Sequence, residues 1–492
     1  MLKDKLDIKY DARQQGYLYQ VEAVEAVKDL PYAAIFHEQG LGKTKIGIDL
    51  ALEWLRTKQI DSVLVVTKRG LIENWRDEIL AHTFVAPRIL DQDRSATFFS
   101  LNSPARIYLT HYEAVRSNER RLALFLKTRR IAAILDESHK IKNPDAEVTK
   151  SLNRLADGFV RRIIMTGTPV ANRPFDIWSQ IYFLDKGKAL GTDFAAFKKG
   201  LDLSNDLWED HRKRQHFEES LSRVYANIAP FTVRETKSSA GIDLPQKRIE
   251  NIFVDPEKRQ LELYESYRVQ LSAEVFRDGR LIEDNAEELL KRLLRLVQLA
   301  SNPHLVDRAY SGVPGKLPKL LALLNEAIGG GSKAIVWTNF VENTVWLASE
   351  LGRFAPVIVH GGLSQEERSS ALSTFKLNGE CKVLVATPGA AKEGLTLTMA
   401  NHAIFYDRSF SLDDYLQAQD RIHRISQTQT CFIWNILCRD TVDGWVDSLL
   451  AAKRLAAQLA QSDISAEEYQ RLADYDFGRI VREILGIGGG GG

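Results

Sequence analysis

The chain of 492 residues is poor in cysteine: it contains three, and each lies in an apolar, strand-like stretch. Their spacing does not fit a zinc module or another metal site built from cysteine and histidine. We therefore predict that Cys381, Cys431 and Cys438 are reduced thiols in the protein core, as is usual in a cytosol-like compartment.

Net charge is also nearly absent, because 66 lysines and arginines balance 65 aspartates and glutamates to leave +1. This balance gives no support for a protein coated with basic residues, as many nucleic-acid-binding proteins are. A local basic groove stays open, because like charges can cluster on one face while the total cancels.

Long apolar runs are lacking too, so no segment reaches the length that is needed to cross a bilayer. The first residues, MLKDKLDIKYDARQ, are charged throughout, which is not the pattern of a signal peptide. We expect a cytoplasmic protein that has no membrane partner. Its length exceeds what one hydrophobic core supports, and this predicts two or more domains.

Strand-like and helix-like segments alternate in two separate series. Continuous β-branched runs that alternate with helices are typical of parallel sheets covered on both faces, so each series predicts one α/β domain. Two helices of the second series have capping signals, with Ser364 three residues before Glu367 and Ser411 three residues before Asp414. The predicted strands are 33–36, 62–67, 106–112, 131–138 and 161–167 in the first series, and 333–340, 355–362, 381–387, 401–407 and 430–437 in the second.

Residues 190–330 differ from both series, because they are highly charged and helical in period, with few strand signals. Two interpretations are equally consistent with this pattern: helical protrusions near the junction of the two domains, or a plain helical connector with solvated charges. The sequence GGGS at 329–332 predicts a flexible joint before the second series.

The segment HEQGLGKTKIGIDL follows the first predicted strand and opens a helix, which is the context of a phosphate-binding loop. Gly40 and Gly42 allow a tight turn whose amide groups can point at phosphate oxygens. Lys43 supplies a positive charge for the β- and γ-phosphates, and the Thr44 hydroxyl can bind Mg²⁺. His37 stands where the general pattern has its first glycine.

A second motif, AAILDESHKIKNP, ends a buried strand in two acids. In a fold with a phosphate loop, Asp136 would hold Mg²⁺ through water, and Glu137 would orient and polarise the attacking water. The alternative is that the acidic pair only caps the segment that follows. The two motifs together predict a site that binds and hydrolyses a nucleotide.

With these motifs in place, the chain from about Gly16 to Asp443 resembles the Swi/Snf-type ATPases, chromatin-remodeller-like DNA translocases of helicase superfamily two. Further strings carry the resemblance, although Ser138 stands where many members have alanine, Ser426 where glycine is usual, and His37 where an acid is common. These strings are YLYQVEAV, VLVVTKRGLIENWRDEI with Trp75, YLTHYEAV, LDESHKIKNPDA, IIMTGTPVANRPFDIWSQIYFL, VLVATPGAAKEGLTLTMANHAIFYD and QAQDRIHRISQTQ.

The resemblance implies an α/β fold with two tandem RecA-like parallel-sheet domains and helical insertions between them. Residues 1–245 would form the ATP-binding domain with a helical protrusion, 246–332 a helical protrusion and linker, and 333–492 the C-terminal helicase domain with arginine fingers.

The same resemblance assigns roles to individual residues. Arg421 and Arg424 would reach the γ-phosphate, and their i, i+3 spacing predicts one helix face for both guanidiniums. Catalysis would use Lys43, Asp136, Glu137, Arg421 and Arg424, with Thr44 and Asp136 on the metal; nucleotide binding would add Gln20, Gly40, Gly42 and Gly394; coupling would use His139, Thr166, Thr168 and Gln417; and nucleic-acid contacts would use Lys68, Thr110, Gly361 and Thr387.

The expected activity is therefore a DNA-dependent ATPase that uses ATP and Mg²⁺ to move along duplex or forked DNA without processive strand separation. Its grip on the phosphates would be independent of base sequence and sensitive to salt. The alternatives are a helicase that separates or anneals DNA or RNA strands, and a nucleotide-gated scaffold that acts through an unidentified protein partner. We expect the cytoplasm of a prokaryotic or phage-infected cell, or the nucleus if the source is eukaryotic.

Overall fold

The computed structural model describes residues 9–90, 94–102, 105–170, 173–201, 211–242, 244–277, 280–281, 286–390, 397–424, 426–461 and 463–472. The chain divides into two compact units. Unit 1 contains residues 1–202, 217–242 and 459–463, and unit 2 contains residues 203–216, 243–458 and 464–492.

Unit 1 is built on a seven-stranded sheet in which every neighbouring pair of strands is parallel. The central strands are buried along their whole length, which explains their continuous apolar sequences. The strands are β1 (Tyr32–Ile35), β2 (Ser62–Thr67), β3 (Arg88–Ile89), β4 (Ile107–His111), β5 (Ile131–Asp136), β6 (Arg161–Met165) and β7 (Thr232–Val233), in the spatial order β3-β4-β2-β5-β6-β1-β7.

Helices connect these strands and cover the sheet, and Trp54 and Trp75 are buried in the core that they form with it. The helices are α1 (Leu18–Val27), α2 (Lys43–Arg56), α3 (Ile72–His82), α4 (Arg94–Asn102), α5 (Tyr112–Ser117), α6 (Glu119–Thr128), α7 (Glu147–Leu155), α8 (Ile177–Asp185), α9 (Phe194–Gly200) and α10 (His211–Ile228), the last of which begins among unit 2 residues.

Unit 2 contains a second parallel sheet, of six strands in the order β12-β13-β11-β14-β15-β8. A separate antiparallel pair joins β9 to β10. The strands are β8 (Lys247–Val254), β9 (Phe276–Arg277), β10 (Arg280–Leu281), β11 (Ala334–Trp337), β12 (Val357–Val359), β13 (Val383–Ala386), β14 (His402–Phe405) and β15 (Cys431–Cys438).

The helices of unit 2 begin with the capping interactions that the sequence predicted. Ser364 and Glu367 form a reciprocal capping box, and the Ser411 side chain accepts a hydrogen bond from the amide of Asp414. The helices are α11 (Lys258–Val275), α12 (Ala286–Ser301), α13 (Lys316–Gly329), α14 (Val341–Glu350), α15 (Gln365–Leu377), α16 (Leu412–Gln419), α17 (Val442–Ala460), which ends among unit 1 residues, and α18 (Ala466–Leu472).

A buried carboxylate joins α12 to the sheet of unit 2. Asp407 follows β14 and accepts hydrogen bonds from Ser301 Oγ at 2.7 Å, Thr338 Oγ1 at 2.6 Å and the Asn339 amide at 2.7 Å. Asn343 Nδ2 donates to the same carboxylate at 3.3 Å. Several donors on one buried carboxylate stabilise its charge and fix the end of α12 against the strand ends.

The structure confirms the predicted α/β class with two tandem parallel-sheet domains, and each predicted strand overlaps an observed one. All three cysteines are buried free thiols, as expected. Within the part of the chain that the structure describes, no helix combines the length and the apolar character that a membrane span requires.

Two local features differ from what the sequence indicated. Residues 247–254 lie in the charged segment with few strand signals, but they form β8, because they add to the edge of the unit 2 sheet by pairing with β15. The GGGS sequence is not a joint between units but a turn inside unit 2 that ends α13, where the amide of Ser332 donates to the carbonyl of Ala327 at 3.1 Å.

Candidate functional site

The carboxyl ends of four neighbouring strands of unit 1, β2, β5, β6 and β1, bring the predicted nucleotide-binding residues to one edge of the sheet. Thr67 ends β2, Asp136 ends β5, Thr166 follows β6, and the phosphate loop follows β1. Ligands of parallel α/β sheets usually bind at this edge, so the topology makes it the candidate binding site.

The loop between β1 and α2 has the backbone that a phosphate loop requires. Gly40 and Gly42 have φ angles of 87° and 67°, which favour glycine strongly. Lys43 is the first residue of α2, and its Nζ donates to the carbonyls of His37 at 2.9 Å and Glu38 at 3.1 Å. The ammonium group of Lys43 therefore closes the loop at the N-terminus of α2, and helix N-termini are common binding sites for anions.

Gln20 is buried against this loop. Its Nε2 donates to the carbonyl of Leu41 at 3.1 Å, and its Oε1 accepts from the amide of Tyr17 at 2.9 Å. A Cβ atom on Gly42 would clash with Gln20 Nε2, and the positive φ angle of Gly42 also disfavours a side chain, so glycine suits this position beside the glutamine. Gln20 therefore supports the loop, and its contact with adenine stays a prediction.

His37, which replaces the first glycine of the general pattern, is buried and neutral. Burial, and then the charge of Lys43, lowers its pKa from 6.5 to about 4. Because the unfolded chain takes up this proton first as the pH falls, the contribution of His37 to stability is complete above pH 6.5 and is lost toward pH 4.

Asp136 is held by side chains from three other elements of unit 1, two on its carboxylate and one on its backbone carbonyl. Its Oδ2 accepts from Thr67 Oγ1 at 3.0 Å and from Trp75 Nε1 at 2.8 Å, and its backbone carbonyl accepts from Tyr112 Oη at 2.7 Å. The sequence did not reveal the roles of Thr67, Trp75 and Tyr112. Their motifs were recognised, but the contacts with Asp136 span 24 to 69 residues of chain.

The surroundings of Asp136 fit a divalent cation. Burial, and then the neighbouring charge of Glu137, raises the pKa of Asp136 from 3.8 to about 6, whereas Lys43 and the hydrogen bonds from Trp75 and Thr67 lower it. A buried carboxylate that repels its neighbour is stabilised by a bound cation. Carboxylate and hydroxyl oxygens are the donors that Mg²⁺ prefers, so Asp136 and Thr44 suit this ion.

Among the described residues, no group of three or more histidines, cysteines or acids could hold a metal without other ligands. Mg²⁺ usually binds to one or two protein oxygens together with water and substrate phosphates. The site therefore fits a magnesium ion that arrives with a nucleotide.

Glu137 has an unusual backbone conformation, with φ 54° and ψ 48°. A non-glycine residue in this left-handed region costs about 1–2 kcal/mol, and such strain is common at functional sites. Glu137 Oε2 lies 3.3 Å from His139 Nδ1, which in turn lies 3.3 Å from Thr166 Oγ1. The amide of Thr168 donates to the same hydroxyl at 3.1 Å, so the structure brings three predicted coupling residues next to Glu137.

The predicted arginines and Gln417 belong to unit 2. The prediction of one helix face is wrong, because α16 ends at Gln419, before both arginines. The amide of Leu397 donates to the carbonyl of Arg421 at 3.0 Å, which occupies an acceptor that a continuing helix would use. Arg421 Nε donates to the carbonyl of Gln417 at 3.1 Å, and Arg424 Nε to that of Asp420 at 2.9 Å.

Of the predicted nucleic-acid contacts, Lys68 and Thr110 belong to unit 1, and Gly361 and Thr387 belong to unit 2. Gly361 is exposed, but the other three are buried, and Thr110 Oγ1 donates to the carbonyl of Leu90 at 3.1 Å. Their contact with nucleic acid stays a prediction. Gly394, predicted to bind nucleotide, lies outside the described residues.

Comparison with known proteins identifies the family of the chain. The family model described as SNF2-related domain matches residues 20–305, more than half of the chain, and the helicase conserved C-terminal domain matches residues 315–426. An uncharacterized ATP-dependent helicase of Mycoplasma genitalium is 25% identical over 436 residues, which are 86% of this chain and 40% of that protein.

A second relative, from Homo sapiens, is 25% identical over 475 residues, which are 91% of this chain and 42% of that protein. It is described as SWI/SNF-related matrix-associated actin-dependent regulator of chromatin subfamily A member 1. The chain thus spans less than half the length of these curated relatives.

Among solved structures, the Sulfolobus solfataricus SWI2/SNF2 ATPase core in complex with dsDNA has a TM-score of 0.42 and 24% identity, covering 96% of this chain and 99% of that one. The two family models carry the assignment: the chain belongs to the SNF2-related family and combines its characteristic domain with a helicase C-terminal domain.

Proposed function

We propose that the protein is a DNA-dependent ATPase that moves along duplex DNA without processive strand separation. The observation that supports this most directly is the meeting of Lys43, Asp136 and Glu137 at one edge of a parallel sheet, in a chain of the SNF2-related family. The strained backbone of Glu137 indicates that its carboxylate is directed for a chemical task.

In the proposed reaction, the amides of the phosphate loop and Lys43 bind the β- and γ-phosphates of ATP. Asp136 and the Thr44 hydroxyl would hold Mg²⁺, which would neutralise phosphate charge. Glu137 orients the attacking water and accepts its hydrogen bond. Arg421 and Arg424 stabilise the negative charge that develops on the γ-phosphate, a task that suits a planar cation.

The proposal also assigns a coupling role to the chain of contacts from Glu137 through His139 to Thr166. A change at the γ-phosphate would alter the hydrogen bonds of Glu137 and so reach the segment around Thr166 and Thr168. Gln417, whose carbonyl accepts from Arg421, would play the corresponding part in unit 2. Each ATP cycle would alternate strong and weak contacts with the DNA phosphates.

Duplex or forked DNA is the proposed track, and RNA and a protein partner are the alternatives. We place the activity in the cytoplasm of a prokaryotic or phage-infected cell, following the sequence-based prediction. The helicase that separates strands differs from our proposal in its product, since it releases single strands that a gel resolves. The nucleotide-gated scaffold differs in needing no hydrolysis.

The test is ATP turnover at low salt with no nucleic acid and then with single-stranded DNA, duplex DNA, forked DNA and duplex RNA. We expect duplex or forked DNA to raise kcat at least tenfold, and Glu137→Gln to lower turnover to a small residual rate while nucleotide binding persists. Raising the salt should weaken the stimulation steeply. Stimulation by RNA alone would transfer the protein to the RNA helicases, and turnover indifferent to every nucleic acid would refute a DNA motor.

A further inference from the structure

The left-handed conformation of Glu137 requires support on both sides, because a strained residue relaxes unless its neighbours are fixed. On the N-terminal side, Asp136 is held by Thr67, Trp75 and Tyr112. On the C-terminal side stands Ser138, which the resemblance to the Swi/Snf-type ATPases does not explain, since many members have alanine here.

The Ser138 hydroxyl is fully buried and donates to Gln180 Oε1 at 2.7 Å. Gln180 is fully buried as well, and its Nε2 donates to the carbonyls of Pro169 at 2.9 Å and Asp176 at 3.0 Å. The amide therefore uses its oxygen and both of its N–H groups. A buried amide with every group paired holds one orientation, because each alternative leaves a polar group unpaired.

Gln180 thus connects three places: the end of the acidic motif, the loop after β6, and the start of α8. A second link runs parallel to it, where Lys142 Nζ lies 3.4 Å from Asp176 Oδ2. The same Asp176 oxygen accepts from the amide of Arg173 at 3.2 Å. These bonds stabilise the start of α8, whose Asp176 carbonyl accepts from Gln180, and so they help to fix the amide that accepts from Ser138.

We propose that Gln180 is a positioning residue for ATP hydrolysis: through Ser138 it holds the backbone of Glu137 in the left-handed conformation and so aims the Glu137 carboxylate at the attacking water. Without this bond the peptide on the C-terminal side of Glu137 keeps the hydrogen bond from the amide of Lys140 to the Glu137 carbonyl, at 3.0 Å, but loses the side-chain support of Ser138, so its orientation is less fixed. The carboxylate then leaves the geometry that the reaction needs, while the phosphate loop stays intact. The inference rests on the proposed function, because it assigns Gln180 to the same reaction.

The test compares Gln180→Leu and Ser138→Ala with Ser179→Ala. Ser179 is a matched control, because it is fully buried on the same helix and its hydroxyl has no hydrogen-bond partner within the described structure. We expect about a tenfold fall in DNA-stimulated kcat for the first two variants, with KM for ATP and the affinity for a fluorescent ADP analogue unchanged within about twofold. Ser179→Ala should match the wild type.

A second measurement separates positioning from general damage. In a Glu137→Gln background, single-turnover hydrolysis should be no slower when Gln180→Leu is added, because Gln180 acts through Glu137. An additive loss there, an unchanged kcat in the single variants, or a loss of nucleotide affinity equal to the loss of kcat would each overturn the inference.

Thermal unfolding of every variant shows whether the core tolerates the change. If Gln180→Leu does not fold, Ser138→Ala carries the test, since it deletes one oxygen atom. The double variant Ser138→Ala/Gln180→Leu should be nearly as slow as Gln180→Leu, because both changes break the same bond. A wild-type protein without ATP turnover would refute the proposed function, whereas normal turnover in both single variants would refute only the role of Gln180.

Discussion

The contact between Trp75 and Asp136 gives the sharpest prediction about the site. Trp75→Phe deletes the indole N–H that lies 2.8 Å from Asp136 Oδ2 and keeps an aromatic ring in the core. A hydrogen bond to a charged group contributes about 1.5–3 kcal/mol. Because one pKa unit corresponds to about 1.4 kcal/mol, losing this bond should raise the pKa of Asp136 by about 1–2 units.

The pKa of Asp136 should rise because the bond from Trp75 stabilises the ionised carboxylate. Trp75 donates to the ionised carboxylate and lowers a pKa that burial and Glu137 have raised to about 6. Without the donor, Asp136 is protonated at higher pH. The acid limb of the kcat/KM profile, which reports groups of the free enzyme, should therefore move up by about 1–2 pH units, and activity lost at pH 7 should return at higher pH.

The assay is DNA-stimulated ATP turnover as a function of pH, with Trp54→Phe as the control. Trp54 is buried in the same core, and its Nε1 donates to the carbonyl of Lys28 at 2.7 Å, away from the site. Both variants delete the same atoms, so both should lose comparable stability. An acid limb that moves equally in the two variants, or not at all in Trp75→Phe, would show that the bond does not stabilise the ionised carboxylate.

Two further predictions concern stability. His37→Gln should flatten the fall in unfolding free energy between pH 6.5 and 4, where His37 costs the wild type up to about 1.4 kcal/mol per pH unit. Urea titrations of both proteins across this range measure the effect. Equal slopes of unfolding free energy against pH in the two proteins would contradict a buried neutral imidazole. Asp407→Asn should destabilise unit 2 by at least about 2 kcal/mol, because an NH₂ group replaces an acceptor among the donors Ser301, Thr338 and Asn339. The control is Asp255→Asn, at an exposed position. An unchanged urea midpoint in Asp407→Asn would contradict the prediction.

Much of the architecture could be predicted because it depends on local patterns. Continuous apolar runs identified the strands of both sheets except β3, β7 and β8, and Ser364 and Ser411 identified helix starts, since capping is a contact over three residues. The phosphate loop could also be predicted, because Gly40 and Gly42 adopt positive φ angles that few other residues tolerate.

Predictions failed where a distant partner decides the local structure. The spacing of Arg421 and Arg424 favours a helix, but the amide of Leu397 takes the carbonyl that a longer helix would need. Residues 247–254 have only a weak strand signal, but they pair with β15 and form an edge strand of the sheet. The glycines at 329–331 allow a joint, but the fold uses them to end α13.

The sequence by itself determined the chemical groups and their order along the strands: a phosphate loop after β1, two acids after β5 and a threonine pair after β6. The tertiary structure decided how those groups are held. Trp75 and Thr67 reach Asp136 across 61 and 69 residues, and Gln180 reaches Ser138 across 42. Such bonds depend on which strands become neighbours, and no local pattern contains that information, because side-chain contacts form only once the sheet has brought the strand ends together.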